Sequence, residues 1–90
     1  MRNNNDFEYL DVEDQVSYFD MNLSGSLVVL GFPIIAFDRN QKEFPKVGMV
    51  FKKTKELEQA VQDYWNGTLL LEPKAFWNAI REIKSRIRMN

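Results

Sequence analysis

From Thr54 onward the chain alternates apolar and polar positions with a helical period. Leu57, Ala60, Val61, Tyr64 and Trp65 stand at i, i+3, i+4, i+7 and i+8, the stripe of a helix with one buried face. Thr54 is placed to cap its N-terminus, and Glu56 and Glu58 sit at the favourable end of the dipole. Asn66-Gly67 ends it, glycine supplying a left-handed residue after the last turn. Asn66-Gly67-Thr68 also matches a glycosylation pattern, but with no secretory signal the capping role explains it. A second stripe, Phe76, Ala79, Ile80, Ile83 and Ile87, follows Glu72-Pro73, where proline opens a helix without losing a needed N–H. Between the two helices Leu69, Leu70 and Leu71 form an apolar connector expected to be pinned to the core.

Upstream the period shortens. Pro33–Asp38 and Val47–Lys52 read as two strands joined by a polar loop containing Arg39, Asn40, Gln41, Lys42, Glu43 and Pro45. Ile35 and Phe37 share one face, as do Val47, Met49 and Phe51. Ser17–Asp20 has strand character from its aromatics. Met21–Phe32 carries two competing signals. Val28 and Val29 favour a strand, whereas Leu23, Leu27 and Leu30 lie on one helical face. Capping by Asp20 or Asn22 and a closing Gly31-Phe32 turn favour a short helix, which is the reading adopted. The order is β-α-β-β-α-α: an α+β fold whose small three-stranded, largely antiparallel sheet is covered on one face by helices. The other sheet face is expected to be open, and a second subunit would supply burial that so short a chain lacks.

Ninety residues bound this to one domain, residues 15–90, preceded by an acidic segment, 1–14, whose first five residues are expected to be disordered. Phe7, Tyr9, Leu10, Val12 and Val16 make that segment too apolar for a purely solvated tail, so docking on the body or on a second subunit is expected. The formal net charge is −1, but residues 1–20 hold six acids against one base and residues 73–90 five bases against one acid. Local charges of −5 and +4 favour head-to-tail attraction or a basic face kept for another partner.

The absence of Cys and His removes disulfides, thiolate nucleophiles, sulfur-ligated zinc and the usual general base. The glycines are scattered singly, so no phosphate loop forms, and Asp11, Glu13 and Asp14 lack the pattern of a calcium loop. Asp38 with Glu43, or Glu13 with Asp14, are pairs that any chain with thirteen acids yields. The protein is therefore expected not to be an enzyme, with no cofactor, metal or small-molecule substrate. No apolar run approaches a signal peptide or a membrane span, which makes a cytoplasmic setting the expectation.

One surface carries candidate chemistry. On the last helix Lys74, Arg81, Lys84 and Arg88 fall in one sector, with Trp77 among them and Asn78 and Ser85 at its margin. Trp77 and Arg81 are four apart, a spacing that allows guanidinium–indole stacking. Cations for phosphates, an aromatic for a base and short polar groups for directional bonds are what a nucleic-acid contact needs. The plain alternative is a solvated face with cations suited to a helix C-terminus and a tryptophan that covers core. A helix-turn-helix is a minor variant, since the leucine connector is longer and more apolar than its usual turn.

The series Asn22-Leu23-x-Gly25-Ser26-Leu27-x-x-Leu30-Gly31-Phe32, then Val50-Phe51, Tyr64-Trp65-Asn66-Gly67 and Pro73-x-x-Phe76-x-x-Ala79-Ile80-x-x-Ile83-Lys84, resembles a group of small uncharacterised domains. That group occurs in bacteria, archaea and their phages and mobile elements, and the resemblance spans residues 17–88. It implies the same element order and a mobile-element setting, and carries over no functional residue because no activity is assigned to the group. The function expected is a small interaction module that forms homodimers. The alternative is a nucleic-acid-binding accessory protein that uses the basic flank of the last helix.

Overall fold

The computed structural model describes residues 14–39 and 47–89, so the acidic segment 1–14 except Asp14, and most of the loop expected between the later strands, lie outside the described residues. The elements are β1 (Gln15–Tyr18), α1 (Met21–Val29), β2 (Ala36–Asp38), β3 (Gly48–Lys52), α2 (Lys55–Asn66) and α3 (Pro73–Met89). The β-α-β-β-α-α order of an α+β domain is observed. β3 lies in the middle of a three-stranded sheet ordered β1-β3-β2, antiparallel to both neighbours.

Local chemistry places most boundaries. The Asp20 carboxylate accepts from the Leu23 N–H at 3.0 Å and the Thr54 hydroxyl from the Leu57 N–H at 3.0 Å, capping α1 and α2. Both helices close with paired reverse bonds around a left-handed glycine. The Phe32 N–H reaches the Leu27 carbonyl and that of Gly31 the Val28 carbonyl, while Thr68 and Gly67 donate to Asp63 and Tyr64. The short helix is thus the correct reading of residues 22–31. β1 begins two residues earlier than its aromatics suggested, because Val16 pairs with Phe51 and Asp20 is taken up by capping. β2 is shorter than its apolar run, since Pro33 offers no N–H and Ile34 turns into the core.

Pairing sets Tyr18, Met49 and Phe37 in one row and Val16 beside Phe51 on the face that meets the helices. Leu23, Leu27, Met49, Phe51, Leu57 and Ile83 form the centre of the core. α1 packs against β1, α2 and α3, so it lies inside the domain instead of forming one more member of an outer helical layer. Its Leu23, Ser24, Gly25, Ser26 and Leu27 are buried in succession, as suits a helix enclosed on several sides. Gly25 makes this possible: a Cβ there would lie 2.6 Å from Ile80 Cδ1 on α3. Leu30, expected on the buried face, is 42% exposed because the helix has already turned at its C-cap.

The far sheet face is more closed than expected. Val50 is buried between half-buried Ser17 and Ala36, and the Phe19 ring occupies the space that a side chain at Gly48 would fill.

Candidate contact surface

α3 opens where Glu72 accepts the Ala75 N–H on its side chain at 2.7 Å and the Phe76 N–H on its carbonyl at 3.1 Å, with Pro73 as the first helical residue. Its buried side is Ala79, Ile80 and Ile83, flanked by half-buried Phe76 and Ile87. At 100° per residue the seven candidates Lys74, Trp77, Asn78, Arg81, Lys84, Ser85 and Arg88 occupy about 120° of arc on the opposite side. All are exposed except half-buried Ser85, and Trp77 keeps 59% of its surface in solvent. Asn78, Arg81, Lys84, Ser85 and Arg88 line one shallow groove together with Glu82. Lys74 and Trp77 continue the same face toward the N-terminus of α3. Among the described residues, none of the four cations of this face has a carboxylate within ion-pairing distance.

The guanidinium–ring contacts among the described residues lie elsewhere. Arg86 stands 5.0 Å and Arg39 6.0 Å from the Phe37 ring centroid, and Arg39 Nη2 donates to the Ile87 carbonyl at 2.8 Å. The i, i+4 spacing of Trp77 and Arg81 is therefore not used for stacking, because the indole stands out into solvent. Arg39 satisfies a carbonyl near the end of α3 and Arg86 covers an aromatic of β2, so both fasten α3 to the sheet. Arg86 falls outside the basic sector expected from the sequence: at roughly 100° per residue it lies about 140° round the helix from the centre of that sector, on the flank that meets Phe37.

The connector between α2 and α3 differs from expectation. Leu69 and Leu71 are half-buried, but Leu70 is 92% exposed and Trp65, assigned to the α2 stripe, is 62% exposed. Alternation along the connector sends its middle leucine outward while its neighbours face the body. Trp65 sits at the edge of the stripe, where Tyr64 meets it edge-on at 4.9 Å. Beside them Tyr64, Leu69, Leu71, Pro73 and Phe76, with Ser26 and Gly67, line an apolar groove of about 370 Å³. The signal available in the sequence was the run of three leucines itself, which one small core does not absorb. A second groove, of about 320 Å³, opens between the exit of α1 and α3, with Glu82 and Arg86 as its charged lining.

Tyr18 and Tyr64 both have pKa values raised, first by burial and then by the nearby carboxylates of Glu58 and Asp20 respectively. They flank the core and stand apart from the basic face. Among the described residues no group of three or more acidic, His or Cys side chains is placed to hold a metal ion, and no helix is long and apolar enough to cross a membrane.

No curated protein and no solved structure matches the chain. A family does: its model matches residues 13–89, which takes in β1 whole and extends the resemblance noted over residues 17–88. The chain belongs to the family described as a domain of unknown function (DUF5659).

Proposed function

We propose that this family member is a non-enzymatic interaction module that pairs with a second copy of itself through the corner between α2 and α3. The observation that carries this reading is Leu70, 92% exposed, beside an apolar groove and the exposed indole of Trp65. A protruding leucine next to a groove is self-complementary under a two-fold axis: each copy's Leu70 enters the other's groove. Leu70 and Trp65 offer on the order of 300 Å² of apolar surface per copy. A pair then hides on the order of 600 Å² from these side chains, and the groove walls raise it toward the roughly 1,200 Å² at which stable interfaces begin. Small chains bury a low fraction of their surface alone, which favours such pairing. The opposite charges of residues 1–20 and 73–90 add long-range attraction between copies.

A cytoplasmic setting fits a chain without Cys, and the phage or mobile-element setting rests on the resemblance alone. Light scattering tests the reading. Wild type is expected to be dimeric and Leu70→Ser/Trp65→Ser monomeric with an unchanged circular dichroism spectrum. Removing residues 1–14 should weaken the pair. A wild type that stays monomeric at high concentration excludes the reading.

A further inference from the structure

Among the described residues, Arg39, the arginines of α3 and Lys84 fall into two groups. Arg39 and Arg86 are engaged with Phe37 and the end of α3. Arg81, Lys84 and Arg88 line one groove on the outer side of α3, and Trp77 stands in solvent on the same face. We infer that this face binds single-stranded nucleic acid, the three cations following successive phosphates while a base stacks on Trp77.

Spacing and charge support that occupant. Along the axis Arg81, Lys84 and Arg88 are separated by about 5 and 6 Å at 1.5 Å per residue, steps that an extended polynucleotide backbone can follow. The groove sets Arg81, Lys84 and Arg88 against Glu82, so the site is cationic although the whole chain has a net charge of −1. The −1 total keeps non-specific attraction low and leaves the local stripe to select an anion. Asn78 and half-buried Ser85 add hydrogen-bonding groups along the same groove.

Trp77 decides between strand types. An indole 59% exposed beside a row of cations is useful where a base presents its face. In a duplex those faces are hidden in the stack, and a protruding indole would hold the helix out of the major groove. A single strand offers both backbone and open base faces. The site does not overlap Leu70 or Trp65, so it is independent of self-association.

Fluorescence anisotropy at low salt tests the inference, using labelled oligothymidylate and oligouridylate, a duplex of equal length, and inorganic polyphosphate. Single strands of either sugar are expected to bind more tightly than duplex or polyphosphate. Trp77→Ala should weaken single-strand binding about 5- to 150-fold, the range of one lost base stack, and Trp77→Phe should restore much of it. The Arg81→Glu/Lys84→Glu variant should lose binding. Log affinity should fall against log salt with a slope near −2, as about three single-strand phosphate contacts require. In a Trp65→Phe background the strand should quench Trp77 emission. Equal or tighter binding of duplex or polyphosphate overturns the single-strand assignment. A wild type that binds no better than the charge-reversed variant overturns nucleic-acid binding altogether. Circular dichroism of each variant keeps loss of binding separate from loss of fold.

Discussion

α1 and α3 pack against one another, yet they use their residues in opposite ways. α1 is nine residues long, holds no charged side chain and buries five residues in succession. α3 is seventeen residues long, buries one side and leaves a cationic sector in solvent. Most positions around the middle of α1 have a structural reason: Leu23 and Leu27 fill the core, and Gly25 admits Ile80. On α3 the same reasoning accounts for Phe76, Ala79, Ile80, Ile83, Arg86 and Ile87, and then stops. Lys74, Trp77, Arg81, Lys84 and Arg88 contribute little to the fold, and residues without a structural role are where contact with a partner is to be sought.

The sharpest way to break this contrast is to place one valine on each helix. Gly25→Val is expected to cost about 1–3 kcal/mol by overpacking, because Ile80 is buried and has little room to swing aside. Asn78→Val, on the exposed side of α3, should change stability by less than about 0.5 kcal/mol. Urea unfolding measures both, and equal costs would erase the distinction between the helices.

A smaller effect of opposite sign is expected inside α1. Ser26 returns its hydroxyl to the Asn22 carbonyl at 2.8 Å, but the buried Ser24 Oγ has no partner. Replacing Ser24 by Ala removes an unsatisfied group and raises helix propensity, so stability should rise by roughly 0.5–1 kcal/mol. A loss in the same unfolding measurement would show that the hydroxyl has a structural role.

The smallest effect concerns pH. Tyr18 and Tyr64 are raised above the usual tyrosine value by burial, so the folded state holds their protons more tightly than the unfolded state does. The corresponding stability is fully present below about pH 10 and is lost as pH rises through the raised values. Unfolding midpoints followed above pH 10 should fall less steeply in Tyr18→Phe/Tyr64→Phe than in wild type.

Much of the fold was legible because short-range chemistry specifies it. Asp20, Thr54, Gly31, Gly67 and Pro73 mark helix ends through contacts within a few residues, and the alternation of Val47–Phe51 marks the central strand. The angular position of the basic face was equally legible, since helix geometry alone places Lys74 to Arg88. What escaped depends on packing between distant segments. Arg39 reaches a carbonyl 48 residues away, and Arg86 finds a β2 ring, neither of which leaves a periodic trace. Leu70 and Trp65 were assigned inward by hydrophobicity, but the space beneath the connector is taken by Leu69, Leu71 and Phe76.

The central claim is that the outer side of α3 is not needed for the fold. Its most direct test is the unfolding midpoint of Lys74→Gln/Arg81→Gln/Lys84→Gln/Arg88→Gln, glutamine having nearly the helix propensity of the residues replaced. The variant should lie within about 1 kcal/mol of wild type, most of the difference coming from Arg88 near the negative end of the helix dipole. A loss of about 3 kcal/mol or more, the scale of a truncated core residue, would contradict it and make the basic face part of the structure.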